Sequence, residues 1–216
     1  MTGLVAALER VFRGTIFRYD LVSPIEIGGL NIFSEDQLYE LCDTLPSPRD
    51  FGRYRRHGCV VVAGPSKPMS LAQVLDFCPE FSFLDASRWC HGADSKEEFP
   101  CKDFVNPGWV VISKGLVPGS AGLSLNEAQA SFASGVVVSN AAEALWAYSM
   151  FAMARNVYLL NNISARIAGR SLDGSGLFMG RYGFRGFYFG KCKDEDKSRS
   201  LGTVSVVRYK KMQLVA

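Results

Sequence analysis

The stretch from 176 to 209, GLFMGRYGFRGFYFGKCKDEDKSRSLGTVSVVRY, leaves its part of the chain few choices. Gly176, Gly180, Gly183, Gly186, Gly190 and Gly202 recur at short intervals, and each glycine inside a helix costs about 1 kcal/mol relative to alanine. Between them stand Phe178, Tyr182, Phe184, Phe187, Tyr188 and Phe189, residues that suit a pleated surface. Strands are therefore expected here, with Phe187 and Phe189 on one face and Tyr188 on the other. Arg181, Arg185, Lys191, Lys193, Lys197 and Arg199 are interleaved with the aromatics, against Asp194, Glu195 and Asp196. A twisted sheet with solvated charges would account for this composition. A recognition surface also would, because Tyr and Arg give large contact area at low entropic cost.

The chain has 216 residues, enough for one large domain or two small ones with a sizeable core. Apolar content of 48% and charged content of 21% exclude bulk disorder. The net charge of +3 is too small to imply nucleic acid by itself. Cys42, Cys59, Cys78, Cys90, Cys101 and Cys192 are scattered without a CxxC pair, which reads as reduced, mostly packed thiols in a reducing compartment. Glu9 and Arg10 interrupt the N-terminal segment where a secretion signal stays apolar. No apolar run approaches the roughly 20 residues that span a bilayer, so a cytoplasmic protein is expected.

Along the chain, Leu4, Val5, Leu8, Val11 and Phe12 have the spacing of a short amphipathic helix. In FRYDLVSPIEIGGLNIF, Pro24 and Gly28-Gly29 are read as breakers, leaving short strands or loop. Ser34 with Gln37 forms a capping box that opens SEDQLYELC, ended by Pro46 and Pro48. HGCVVVAGP is a buried strand and turn, and Ser70 with Gln73 starts a second capped helix. Residues 79 to 107 read as a long loop around Trp89, followed by the strand GWVVISKG. Ser124 with Glu127 and Asn140 with Glu143 open two further helices. The second, NAAEALWAYSMFAMARN, is alanine-rich with a broad apolar stripe, and Asn156 can cap its end. YLLNNISARIAG (158–169) reads as a strand that leads into the C-terminal strands. The order predicts one α+β domain over 1–216, helices first and strands last, its core better marked in 106–216 than in 1–105.

Chemistry is sparsely signalled. His57 and His91 are the only histidines, and Cys90-His91 with Cys101 matches none of the usual zinc spacings. Cys59 or Cys90 could pair with His57 or His91 as a nucleophile and base, although both cysteines stand in apolar surroundings where inert thiols are commoner. VPGSAG (117–122) precedes a helix and could hold an anion on its backbone, but lacks the lysine of a phosphate loop. RGFYFGKC (185–192) partly matches an RNA-recognition submotif through Arg185, Gly186, Phe187 and Phe189, while Tyr188, Gly190 and Cys192 depart from it. No cofactor or metal is implied.

Trp109, Lys114, Pro118, Gly119, Ser120, Glu127, Gln129, Asn140, Glu143, Trp146, Gly180, Gly186, Leu201, Gly202 and Arg208 stand in an order that resembles a group of bacterial proteins, many from uncultivated lineages. The tail is also similar to the variable segment of retroelement-diversified proteins, whose fold resembles C-type lectins and formylglycine-generating enzymes. That resemblance implies a non-enzymatic binding protein in which a fixed frame presents exchangeable residues to a protein or other surface ligand. On this chain the exchangeable places would be Arg181, Tyr182, Arg185, Phe187, Tyr188, Lys191, Cys192, Lys193, Asp194, Asp196, Ser198 and Arg199. The competing expectation is a module that binds single-stranded nucleic acid on the same aromatic and basic face.

Overall fold

The computed structural model of the chain describes residues 18–29, 32–81, 97–181 and 186–208, together with Ala7, residues 10–12 and Gly14. After a short 3-10 turn come β1 (Leu21–Val22), α1 (Pro24–Ile27), α2 (Glu35–Asp43), α3 (Pro48–Arg56) and β2 (Cys59–Ala63). They are followed by β3 (Met69–Ser70), α4 (Leu71–Phe77), α5 (Phe99–Lys102), β4 (Phe104–Val105) and β5 (Trp109–Ser113). The second half holds α6 (Leu125–Ser131), β6 (Val136–Val138), α7 (Ala141–Arg155) and β7 (Ile163–Arg170). It closes with β8 (Gly176–Arg181), β9 (Phe187–Cys192), β10 (Leu201–Thr203) and β11 (Ser205–Val207).

Two sheets carry the architecture, one ordered β1-β2-β5-β11-β6 and the other β10-β7-β8-β9, with β3 and β4 as a separate pair. The pairs β1–β2 and β10–β7 are parallel and the remaining pairs are antiparallel. This is a mixed α+β fold, but helices and strands alternate along the chain instead of separating into halves. Strands β1, β2 and β5 of the first half share one sheet with β11, which lies between β5 and β6.

Helix α7 sits at the centre, against β2 and β5 of one sheet and β7 of the other. Every residue from Ala141 to Ala152 is buried, so the expected stripe is in fact the whole circumference, and a helix apolar all round must be covered on every side. Two of its buried ring side chains have partners placed accordingly, while the buried Ser149 hydroxyl has none among the described residues. The Trp146 indole N–H donates to Ala63 O at 2.9 Å, and the Tyr148 hydroxyl donates to Ser113 O at 2.8 Å. At the C-terminus Asn156 takes the expected left-handed cap, with φ 50°. There Arg155 ties the helix to the opening of the chain, donating to Tyr19 O at 3.1 Å and Glu26 Oε1 at 2.7 Å.

The N-terminus of α7 carries the expected capping box of Asn140 and Glu143, and Glu143 also accepts from Arg208. Asp103 Oδ2 accepts the Ala141 N–H at 3.1 Å. Burial, with Glu143 nearby, nevertheless pushes the Asp103 carboxyl up to about 6 from an ordinary 3.8, against the lowering effect of that hydrogen bond. A carboxyl whose folded pKa is raised stabilises the fold while protonated, so this contribution is lost as pH climbs from about 4 through about 6. Asp103→Asn is expected to raise the unfolding free energy at pH 7 by on the order of 2 kcal/mol. The gain should vanish near pH 4. Melting both proteins across this range checks it; a constant offset would refute the titration of Asp103, and Glu26, whose pKa is lowered, cancels in the difference.

The capping boxes of Ser34, Ser70 and Ser124 form as expected. Four readings are corrected. Pro24 does not break a helix but opens α1 behind the Ser23 cap, because proline's missing N–H is harmless at a first helical position. Pro48 likewise opens α3 behind Ser47 instead of only ending α2. Residues 158–162 do not extend β7; Leu160 and Asn162 turn through φ 55° and 57° and the strand begins at Ile163. Around the expected loop, Phe99–Lys102 and Phe104–Val105 are ordered elements, while 82–96, with Trp89, Cys90 and His91, lie outside the described residues. Most of the proposed N-terminal helix lies outside them too, with Arg10–Phe12 helical.

Candidate functional site

The hairpin β8–β9 explains the glycine–aromatic mixture. Gly180 lies opposite Tyr188 and Phe178 opposite Gly190. A Cβ at Gly190 would stand 2.4 Å from the Phe178 ring, and one at Gly180 would stand 3.0 Å from the Tyr188 hydroxyl. Each aromatic therefore lies across a glycine on the neighbouring strand, and the two rings meet edge-on with centroids 5.8 Å apart. Tyr188 also reaches Ser164 Oγ at 3.1 Å. On this face Phe178 and Tyr188 are half-buried.

The opposite face belongs to the core. Phe187 is 0% exposed, with its ring 5.9 Å from Tyr148 of α7, and Phe189 is buried beside it. The expected alternation holds, but Phe187 cannot touch a ligand, and neither phenylalanine can stack on a base as the RNA-recognition submotif requires. Cys192 is buried as well. Tyr182 and Arg185 lie outside the described residues, as does the side chain of Arg181.

Beyond β9 the chain forms an exposed limb over 193–200 whose backbone is held from beneath. Arg166 of β7 is 1% exposed. Its guanidinium donates to Cys192 Sγ at 3.0 Å, to Lys193 O at 3.3 Å and to Asp196 O. Some side chains of the region serve the structure. Lys191 bridges Glu97 at 2.8 Å and Asp173 at 3.0 Å, and Asp194 pairs with Arg170 at 2.6 Å. Lys193, Asp196, Ser198 and Arg199 are exposed to solvent. The structure thus splits the expected residues: Lys193, Asp196 and Arg199 lie on the exposed limb, Tyr188 is half-buried on β9, Lys191 and Asp194 sit in ion pairs, and Phe187 is core.

The other chemical candidates resolve locally. The Cys59 thiol lies 3.7 Å from the His57 carbonyl oxygen. Burial pushes its pKa up to about 11 despite Lys114, and burial with Glu80 pushes Cys78 to about 12, so neither is a ready nucleophile. The VPGSAG turn uses its amides internally and on β10: Ser120 N donates to Val117 O at 3.0 Å, Val117 N to Thr203 O at 2.8 Å and Gly122 N to Leu201 O at 3.3 Å. It is a brace for β10.

Sequence reasoning missed two features of the surface. One is a cleft of about 380 Å³ between the 65–69 loop and α4, lined by Pro65, Ser66, Lys67, Asp76, Phe77 and Trp146 among others. No motif marks it, because its walls come from segments far apart in the chain. The other is α3, PRDFGRYRR, where arginines dominate and only Phe51 and Tyr54 face inward. No known protein family, curated protein or solved structure matches this chain.

Proposed function

We propose that the chain is a non-catalytic recognition protein, a C-type-lectin-like frame of the retroelement-diversified kind, that presents Tyr188, Lys193, Asp196 and Arg199 to a protein or other surface ligand. The observation that carries this reading is the manner in which Arg166 holds the limb. Its bonds to the limb go to the carbonyls of Lys193 and Asp196 and to a buried cysteine. The backbone position is therefore insensitive to which side chains 193 and 199 carry, the condition under which residues can be exchanged without unfolding the protein, whereas Asp196 also uses its Oδ1 to accept the Ser198 N–H at 3.0 Å. Tyr188 would contribute apolar contact and Arg199 charge-assisted hydrogen bonds.

Sequencing the native locus tests the reading. A neighbouring near-copy of codons 180–202 beside a reverse-transcriptase gene is expected, differing at 188, 193, 196 and 199 and constant at 187, 189, 192 and 201. Differences spread evenly over buried and exposed codons, or no near-copy at all, would refute diversification. At the protein level, Lys193→Ser with Arg199→Ser is expected to change stability by no more than about 0.5 kcal/mol; a larger loss in thermal unfolding would mean that the limb is structural.

A further inference from the structure

We propose that the outer face of α3 is a nucleic-acid-binding surface, on which Arg49, Arg53 and Arg56 hold the phosphate backbone. The proposal rests on α3 alone, apart from the reading of the 193–200 limb. Within nine residues α3 carries four arginines against Asp50, an excess equal to the +3 of the whole chain. The charge that looks negligible as a chain total is thus gathered on one short element.

Its placement is set by the inward-facing aromatics. Phe51 and Tyr54 are each 2% exposed and fix the helix on the core. At 100° per residue, Arg49, Arg53 and Arg56 then project on the opposite side, and all three are exposed. They span about 10 Å along the axis. Gly52 lies on that side as well, and a Cβ there would meet nothing within 4 Å, so a phosphate strand can approach the helix backbone between the arginines. Asp50 offsets only part of the stripe: it meets Arg53 at 3.3 Å in a solvent-exposed pair of the kind that contributes little, and accepts from Ser47 Oγ at 2.7 Å. Arg55 turns aside toward Asp20 at 3.8 Å.

Helix stability does not explain this pattern. Arg53, Arg55 and Arg56 in the last turn complement the helix dipole, but Arg49 stands in the first turn, where a positive charge opposes it. A membrane surface is disfavoured because the helix's aromatics point into the core and leave its outer side nothing to insert into lipid. Guanidinium forks at successive turns match phosphate oxygens instead.

The test is fluorescence anisotropy of the full chain with a labelled oligonucleotide of about 20 nucleotides, single-stranded and duplex, at about 50 and about 200 mM salt. Salt-sensitive binding to at least one form is expected. Arg49→Gln/Arg53→Gln/Arg56→Gln should weaken it at least about tenfold and flatten the slope of log affinity against log salt by about 2, whereas the corresponding triple lysine variant should keep the slope. Arg49→Gln alone should weaken binding while leaving the Tm unchanged or raised, a combination that damage to the fold cannot produce. The proposal is overturned if neither form binds at low salt, or if the triple glutamine variant binds like the native chain. It is also overturned if phosphatidylserine vesicles bind while oligonucleotides do not. An equal loss in Lys193→Ser/Arg199→Ser would move the site to the other limb and overturn it as well.

Discussion

Trp146→Ala is expected to lower the unfolding free energy by about 4 kcal/mol, the range for truncating a fully enclosed aromatic. Trp146 is among the largest side chains with no solvent exposure, and its ring lies 5.4 Å from that of Phe77. Its indole N–H is the hydrogen-bond donor to Ala63 O at the end of β2. Truncation therefore opens a cavity and leaves a carbonyl without that donor. Against a typical total of about 5–15 kcal/mol, this loss approaches the margin on which the fold depends. Trp146→Phe keeps most of the ring and loses the donor, so its cost should fall to about 1–2 kcal/mol. Urea unfolding followed by far-ultraviolet circular dichroism separates the variants. Equal damage from both would mean that the hydrogen bond, not the filled volume, dominates at this position.

The second large effect is expected at Arg166. Arg166→Met keeps much of the volume but removes the donors to Lys193 O, Asp196 O and Cys192 Sγ. Leaving a buried acceptor unpaired costs about 1–3 kcal/mol for each such group, and the Lys193 and Asp196 carbonyls are part-buried, so a total of about 3 kcal/mol is anticipated, part of it avoided by local opening of the limb. Amide hydrogen exchange should show the amides of 193–200 losing protection well ahead of those in β2 and β5. Arg166→Lys should not restore them, since one ammonium cannot reproduce the planar fork. Unchanged exchange at 193–200 in Arg166→Met would show that the limb is held by Asp194–Arg170 and Lys197–Glu127 instead.

The helices legible in the sequence announce their own start, although α1 carries the same signal in Ser23 and Glu26 and is hidden by its proline. Ser34, Ser70, Ser124 and Asn140 each precede a Glu or Gln by three positions, and all four open a helix. The apolar runs of β2 and β5 were similarly plain. Helix α3 was hidden because seven of its nine residues carry no inward-facing apolar group and its first residue is proline. Its formation depends on Phe51 and Tyr54 finding a core built by other segments, which local pattern cannot reveal. In the hairpin, alternation separated Phe187 and Phe189 from Tyr188 correctly, but a period of two does not say which face is inside. That choice is made by Tyr148 of α7, which lies 39 positions from Phe187. The buried Arg166 gave no sign at all, since an arginine in a strand ordinarily faces water.

The placement of β11 has a consequence for synthesis. Its residues Val206 and Val207 pair with Ile112 and Val111 on one side and with Val137 and Val136 on the other. Until residues 205–207 leave the ribosome, β5 and β6 each present an unfilled edge within what will become one sheet, and α7 has nothing complete to rest on. The nascent chain must therefore carry its most apolar helix through the synthesis of residues 156–204 without its final cover. Folding is tied to the arrival of one short late segment, and the interval before it is when this protein most needs protection from aggregation.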